Sequence, residues 1–255
     1  MVLIRASTFN VRYDDPRDEY LWDERCPRVL ETLDRIGPDL LACQEALAHQ
    51  YDDLRAGLEP YDWHGVGRRD GEREGEFVPV AWRPSRFERL ETGAFWLSET
   101  PTEPSVGWDA SLPRVATWVR LRDRENDETV WFCNVHFDHR GERARLESAR
   151  LLRRRATDRL EQGDVPVVTG DANCTVGSTP HRTLTTGPLE DARRIANERS
   201  GPAGTFCGFD DGVGDRIDYA FVPSAVDVRR YRTLPPNETT PRSDHLPVVA
   251  DLELE

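Results

Sequence analysis

Not one of the 255 residues is lysine: all 34 basic side chains are arginine, set against 47 Asp and Glu for a formal net charge of -13. An acidic surface without lysine suits a protein kept soluble in concentrated salt, and we expect a halophilic setting. At ~1 M salt the Debye length is only about 3 Å, so long-range steering of a polyanion is weak. The charge balance therefore argues against non-specific nucleic-acid binding, and leaves room for a local arginine-lined cleft. Cysteine is sparse, with five residues (Cys26, Cys43, Cys133, Cys174 and Cys207) and no C-x-x-C pair. An odd set without that spacing excludes a disulfide framework and fits reduced thiols and a cytoplasmic address. No apolar run approaches the ~20 residues of a membrane span, so no membrane partner is expected. Met1 to Arg5 lead straight into a strand pattern with no charged stretch followed by an apolar one, so we expect no leader. No repeat, linker or low-complexity segment divides the chain, and a single domain over residues 1–255 is expected.

What is present is an alternation of strands and helices. The pattern predicts strands over 3–10 and 39–45, with a helix over 27–36 between them that ends at Gly37-Pro38. A second helix is expected over 46–58 and a strand over 61–67, then a solvated loop over 67–76. Strands over 77–82 and 87–96 are expected to pair across Arg83-Pro84-Ser85, and strands over 115–122 and 129–138 across Glu125-Asn126-Asp127. Between the two hairpins, residues 97–113 form a long loop holding Trp108 and Asp109, with Trp96 just before it; such loops are often functional. Rim or core packing is the favoured reading of both Trp residues. The longest helical stripe covers 143–161, and its many Arg residues are interleaved with acids, as on a solvated face. Beyond it come a strand over 165–171, a short helix near 181–186, a Gly-rich stretch over 201–214 and strands over 216–222, 226–233 and 246–252. The loop 235–243 precedes the last strand. Two strand-rich halves with helical crossovers point to an α/β protein of two packed sheets.

Val165-Pro166-Val167-Val168-Thr169-Gly170-Asp171-Ala172-Asn173 concentrates the chemistry. A strand too apolar to bury a charge ends abruptly in a carboxylate and an amide two residues apart, a spacing that points both the same way. The other strands repeat the device, and the polar tips are Asn10, Glu45, His136, Asp171, Asn173, Asp218, Asp244 and His245. A carboxylate beside an apolar strand is costly unless it is paired or holds a metal. The set offers hard oxygen donors suited to Mg²⁺ or Mn²⁺, with two His free for proton transfer or phosphate contact.

Six motifs then fall in a familiar order. They are Thr8-Phe9-Asn10, Cys43-Gln44-Glu45, Asn134-Val135-His136, Gly170-Asp171-Ala172-Asn173, Arg216-Ile217-Asp218-Tyr219 and Ser243-Asp244-His245-Leu246-Pro247. From Ser7 to Ala250 the chain resembles the endonuclease/exonuclease/phosphatase superfamily, and Phe95 to Pro101 is similar to a prokaryotic branch of it. The resemblance implies a four-layer α/β/β/α sandwich of two mixed sheets flanked by helices, with the site at one edge. It implies metal-assisted attack of water on a phosphate ester. By the same resemblance Glu45 is the principal metal ligand with Asn10 and Asp244 beside it, and Asp171 and Asn173 orient the water and the phosphoryl group. His245 is set by Asp218, and His136 donates to phosphate; either Asp171 or His245 is the base.

Ala172 departs from the family, where an aromatic residue is frequent, and the His136 strand continues unusually as Phe137-Asp138-His139. Asp138 either orients His136 or adds a ligand, or simply starts a polar loop, and His139 joins it as a candidate substrate contact. Alternation puts Cys133 and His136 on opposite faces, which argues against zinc. Arg114 stands where relatives place an Arg near the phosphate and is expected to touch substrate. His49, His64 and His181 belong to no motif, and surface or structural roles are expected for them. A phosphorylated small molecule is the favoured substrate, DNA or RNA the alternative, and a non-catalytic binding module the remote third.

Overall fold

Strands that are apolar on both faces must be covered on both, and here that demand builds the layers. The computed structural model describes residues 3–209, 212–236 and 241–254; parts of the Gly-rich stretch and of the loop before Ser243 lie outside them. The chain runs β1 (Leu3–Asn10), α1 (Trp22–Ile36), β2 (Leu40–Gln44), α2 (Ala48–Gly57), β3 (Asp62–His64), β4 (Val80–Trp82), β5 (Phe87–Trp96), β6 (Val115–Asp123) and β7 (Thr129–His136). It continues through α3 (Glu142–Glu161), β8 (Val165–Asp171), α4 (Thr179–Thr185), β9 (Leu189–Asp191), α5 (Ala192–Ile195), β10 (Glu198–Ser200), β11 (Asp218–Pro223), β12 (Asp227–Thr233) and β13 (Val248–Glu253). One sheet is ordered β10-β12-β13-β1-β2-β4-β3 and the other β5-β6-β7-β8-β11-β9, each mixing parallel and antiparallel pairs.

Between the sheets lie Ile4 and Ala6 of β1, Leu40 and Ala42 of β2, Val130 and Phe132 of β7, and Val167 of β8. Their sequence neighbours face outward. Phe9, Leu41 and Cys43 pack under α1 and α2 with Val29, Leu33 and Leu54, while Trp131, Cys133 and Val168 pack under α3 and α4 with Leu152, Ala156 and Leu184. The result is the four-layer sandwich. The inner face turns polar toward one edge: Gln44 donates to Thr8 Oγ1 (2.9 Å) and to Asn134 Oδ1 (2.6 Å), and Asn134 donates to the Cys43 carbonyl (2.6 Å). These buried amides bind the two sheets beneath the site.

Four expectations need correction. Residues 77–82 and 87–96 do not form a hairpin: β4 pairs with β2 and β3, and β5 with β6. The turn at Arg83 carries the chain from one sheet to the other, and Arg86 pins the crossing to Asp39 and Asp123 (both 3.0 Å). The first helix begins at Trp22, not at Pro27, because its early turn is rich in tertiary contacts. Trp22 is buried and donates to Asp53 (2.8 Å), and the fully buried Arg25 donates to the carbonyls of Val11 (2.6 Å) and Arg242 (3.0 Å). Those contacts offset the N–H that Pro27 lacks. The strand expected over 61–67 is only β3, and the loop after it is not wholly solvated, since Arg68 and Glu76 are largely buried. The short elements β9, α5 and β10 lie where no strand or helix was expected.

Candidate active site

Where the inner face turns polar, strand tips from both sheets meet. Asn10 ends β1, Glu45 follows β2, His136 ends β7, Asp171 ends β8 and Asp218 opens β11, while Asp244 and His245 precede β13. His136 and Asp171 are paired in register across β7 and β8, and Asp218 and Asp171 across β11 and β8. Gly170 permits that approach: at φ 136° any Cβ would lie 2.0 Å from the Val135 carbonyl oxygen. Three residues of the site, Arg12 (φ 59°), Glu45 (φ 65°) and Asn173 (φ 44°), hold left-handed backbone without being glycine. Such strain, of order 1–3 kcal/mol each, persists where the surroundings over-determine it.

Asn10 is the hub. Its Nδ2 donates to Glu45 Oε1 (3.0 Å) and Asp171 Oδ2 (3.1 Å) and lies 3.4 Å from His245 Nε2. Its Oδ1 accepts the Arg12 N–H at 3.0 Å. His245 Nδ1 bonds Asp218 Oδ2 at 2.9 Å, which leaves Nε2 facing Asp171 Oδ2 at 3.8 Å. His136 Nε2 stands 3.6 Å from the same oxygen and 3.9 Å from Glu45, and its Nδ1 is 3.9 Å from Glu76.

Their surroundings push the two histidines in opposite directions. Burial, then the cations Arg114 and Arg68, keep His136 well below its ordinary value of 6.5. Burial would lower His245 too, but Asp218, followed by Asp171 and Asp244, holds it well above. Burial, with Asp218 next, pushes the Asp171 carboxyl up to about 7. Burial and the nearby Glu45 raise Glu76 to about 7 as well, against Arg68.

The cleft above these groups has a volume of about 760 Å³, and its walls include Arg12, Arg68, Arg69, Arg114, His139, Asn173 and Phe206. Arg114 and His139 meet through Nη2 and Nδ1 at 2.9 Å. Asn173 donates its side-chain N–H to the Phe137 carbonyl (3.0 Å), and its own backbone N–H to Asp171 Oδ1 (2.8 Å). Asp138 is the expected contact that the structure places elsewhere. Its oxygens accept Ser111 Oγ (2.8 Å) and the N–H groups of Arg140 (2.9 Å) and Gly141 (2.7 Å), with Arg114 Nε at 3.5 Å. It neither orients His136 nor lines the cleft; it anchors the loop and Arg114.

The long loop 97–113 is likewise structural in part. Asp109 accepts the Ala144 N–H (2.6 Å) at the start of α3, and Trp96 donates to the Arg68 carbonyl (2.7 Å). His181 is buried against Tyr219 and Phe221 and reaches Asp191 at 3.2 Å, away from the cleft. Exposed His49 reaches Asp14 (3.0 Å), and half-buried His64 has its pKa lowered by burial. Cys133 lies in the core beneath α3, on the face opposite His136.

Arg12, Arg68 and Glu76 went unnoticed in the sequence. Glu76 had a signal, since it abuts the apolar run beginning Phe77-Val78 as the other tips abut theirs. Arg12 repeats beyond Asn10 the two-residue spacing of Asp171 and Asn173. Arg68 carried no such mark among 34 arginines.

A model of the Endonuclease/Exonuclease/phosphatase family matches residues 7–245. The chain belongs to that family. Its members are phosphoesterase hydrolases that depend on divalent metal. Among solved structures it is similar to an endonuclease/exonuclease/phosphatase from Bacteroides vulgatus, 38% identical over 100% of both chains with a TM-score of 0.95. A mannosyl-6-phosphatase from Bacteroides thetaiotaomicron is 32% identical over 98% of this chain and 100% of that one, with a TM-score of 0.93. TDP2 of D. rerio, complexed with a single-strand DNA product, is 14% identical over 99% of this chain and 100% of that one (TM-score 0.78), a likeness of fold. Two curated relatives, uncharacterised proteins L388 and R895 of Acanthamoeba polyphaga mimivirus, are 23% and 26% identical, and the matches span 54% and 31% of their lengths.

The donor set fits the family's divalent ion. Glu45 is the common member: Asn10 lies 3.0 Å from its Oε1, its Oε2 and Asp244 Oδ2 flank the same Arg12 nitrogen at 4.0 and 3.9 Å, and its ligand atoms lie within 4.8 Å of those of His136 and Asp171, the groups that face the expected substrate side. Burial and neighbouring charge raise the carboxyls of both Asp171 and Asp244, an excess of negative charge that a cation relieves.

Proposed function

We propose that the protein is a divalent-metal-dependent phosphatase that releases phosphate from a phosphorylated small molecule such as a sugar phosphate. One observation carries this reading. Arg68 and Arg114 are both more than nine-tenths buried on the cleft wall, and Arg68 Nε and one Arg114 Nη find no acceptor among the described residues. Arg68 keeps Glu76 (2.6 Å) and Arg114 keeps Asp138 (3.5 Å) and His139 (2.9 Å), but each guanidinium has one N–H unfilled and the two cations repel each other, a repulsion that a terminal phosphate in the cleft would relieve. The mannosyl-6-phosphatase likeness along nearly the whole chain supports a sugar phosphate. The net charge of -13 weighs against a nucleic-acid track.

In this reading Glu45 holds the ion with Asn10 and Asp244 beside it, and Mg²⁺ or Mn²⁺ supplies charge neutralisation at the phosphoryl oxygen. The protein's own groups do the rest. Asp218 favours the protonated form of His245, which suits it to donate to a phosphoryl oxygen and leaves the base role to Asp171. Asp171, poised near neutrality and oriented by the Asn173 N–H, accepts the proton of the attacking water. Neutral His136 holds a phosphoryl oxygen, and Arg114, steadied by His139 and Asp138, takes another with Arg68. Arg68→Ala and Arg114→Ala should each raise KM for a hexose phosphate about tenfold or more, the loss of a charge-assisted hydrogen bond. Unchanged KM in both variants would refute the anion cradle.

A further inference from the structure

Arg12 has a position that the catalytic reading leaves unused. It sits on left-handed backbone (φ 59°) two residues past Asn10 and lines the cleft. Two nitrogens are fastened to Asp18, Nε at 2.8 Å and Nη2 at 3.0 Å. The third, Nη1, stands 4.0 Å from Glu45 Oε2 and 3.9 Å from Asp244 Oδ2. Those separations are too long for hydrogen bonds, so Nη1 neutralises both carboxylates without occupying their lone pairs. The same residue's backbone N–H takes Asn10 Oδ1, so that Asn10 turns its Nδ2 toward Glu45 and Asp171. One arginine thus compensates two of the three expected metal ligands and engages the oxygen of the third.

We propose that Arg12 is a built-in counter-ion that competes with the divalent cation for Glu45 and Asp244, and so weakens metal binding in the substrate-free protein. This rests on the metal site assigned above. A cation shared by the two carboxylates meets the positive guanidinium, which Asp18 prevents from leaving freely. An incoming phosphate, being anionic, offsets the guanidinium and removes the opposition. Metal and substrate anion therefore bind with positive coupling.

The test is calorimetric titration with Mn²⁺ alone at low ionic strength, without substrate or turnover, with melting temperatures recorded for each variant. Arg12→Gln should bind Mn²⁺ about tenfold tighter than wild type. Arg12→Lys, which keeps the charge, should stay near wild type. Asp18→Asn, which releases the guanidinium toward Glu45 and Asp244, should bind more weakly. Glu45→Gln should abolish binding. If wild type binds Mn²⁺ in a Glu45-dependent way while Arg12→Gln is unchanged or weaker, the counter-ion proposal fails and the metal site stands. If neither wild type nor Arg12→Gln binds, the metal assignment fails and takes the proposal with it.

Discussion

Within the cleft, single residues are set apart by charge state. The His245 ring owes its raised pKa to Asp218 at 2.9 Å, against a burial that would lower it. A group raised in the folded state contributes stability below its unfolded value, about 6.5, and loses it as pH rises through the raised value. Asp218→Asn removes the largest of the raising causes and leaves those of Asp171 and Asp244. In proton NMR, His245 of the metal-free protein should remain protonated well above pH 6.5 in wild type and titrate at clearly lower pH in the variant; equal titration in both would show that Asp218 does not set its charge. The polar tips that gather here were legible in the sequence because each interrupts an apolar strand, where a charge needs a reason. Arg12 and Arg68 were not, since an arginine in a loop has the same appearance whether it reaches solvent or folds back over carboxylates. Asp138 shows the converse: alternation placed it beside His136, but the loop after β7 turned it toward Ser111 and Gly141.

Among the elements, β7 and β8 carry the closest tolerance. At Gly170 a methyl group would lie 2.0 Å from the Val135 carbonyl oxygen, on backbone at φ 136°; at Gly163 it would meet nothing, with φ 85°. Gly163→Ala should cost about 1–2 kcal/mol, the backbone strain alone. Gly170→Ala should cost about 3 kcal/mol or more in urea unfolding, or give no soluble protein, because the two strands must separate. Equal costs would mean that the register at the site is looser than described. Element order and type were readable from periodicity, and the β6–β7 hairpin is one example, with Arg122 opposite Thr129. The supposed hairpin of β4 and β5 was not, because Arg83-Pro84-Ser85 signals a turn but not which sheet receives the next strand. Short β9 and β10 offer three residues each, too few for a period to show.

For the whole molecule, net charge and site pull in different directions. A chain with 47 acids and 34 arginines carries a net negative charge that repels itself, yet the cleft gathers Arg12, Arg68, Arg69, Arg114 and Arg140 around its own acids. We propose that high salt is the medium this surface is built for: melting temperature should rise between 0.1 and 2 M KCl as repulsion is screened. A fall over that range would count against a halophilic origin. The central claim is metal-dependent hydrolysis of a phosphate monoester. Its most direct test measures phosphate release from a hexose phosphate, beside cleavage of bis(p-nitrophenyl) phosphate and single-stranded DNA, with Mg²⁺ or EDTA, in wild type and Asp171→Asn. We predict phosphate release from the monoester in Mg²⁺, abolished by EDTA and reduced about a hundredfold or more in Asp171→Asn, with little cleavage of either diester. Faster cleavage of the diesters, or phosphate release indifferent to both EDTA and Asp171→Asn, would contradict it.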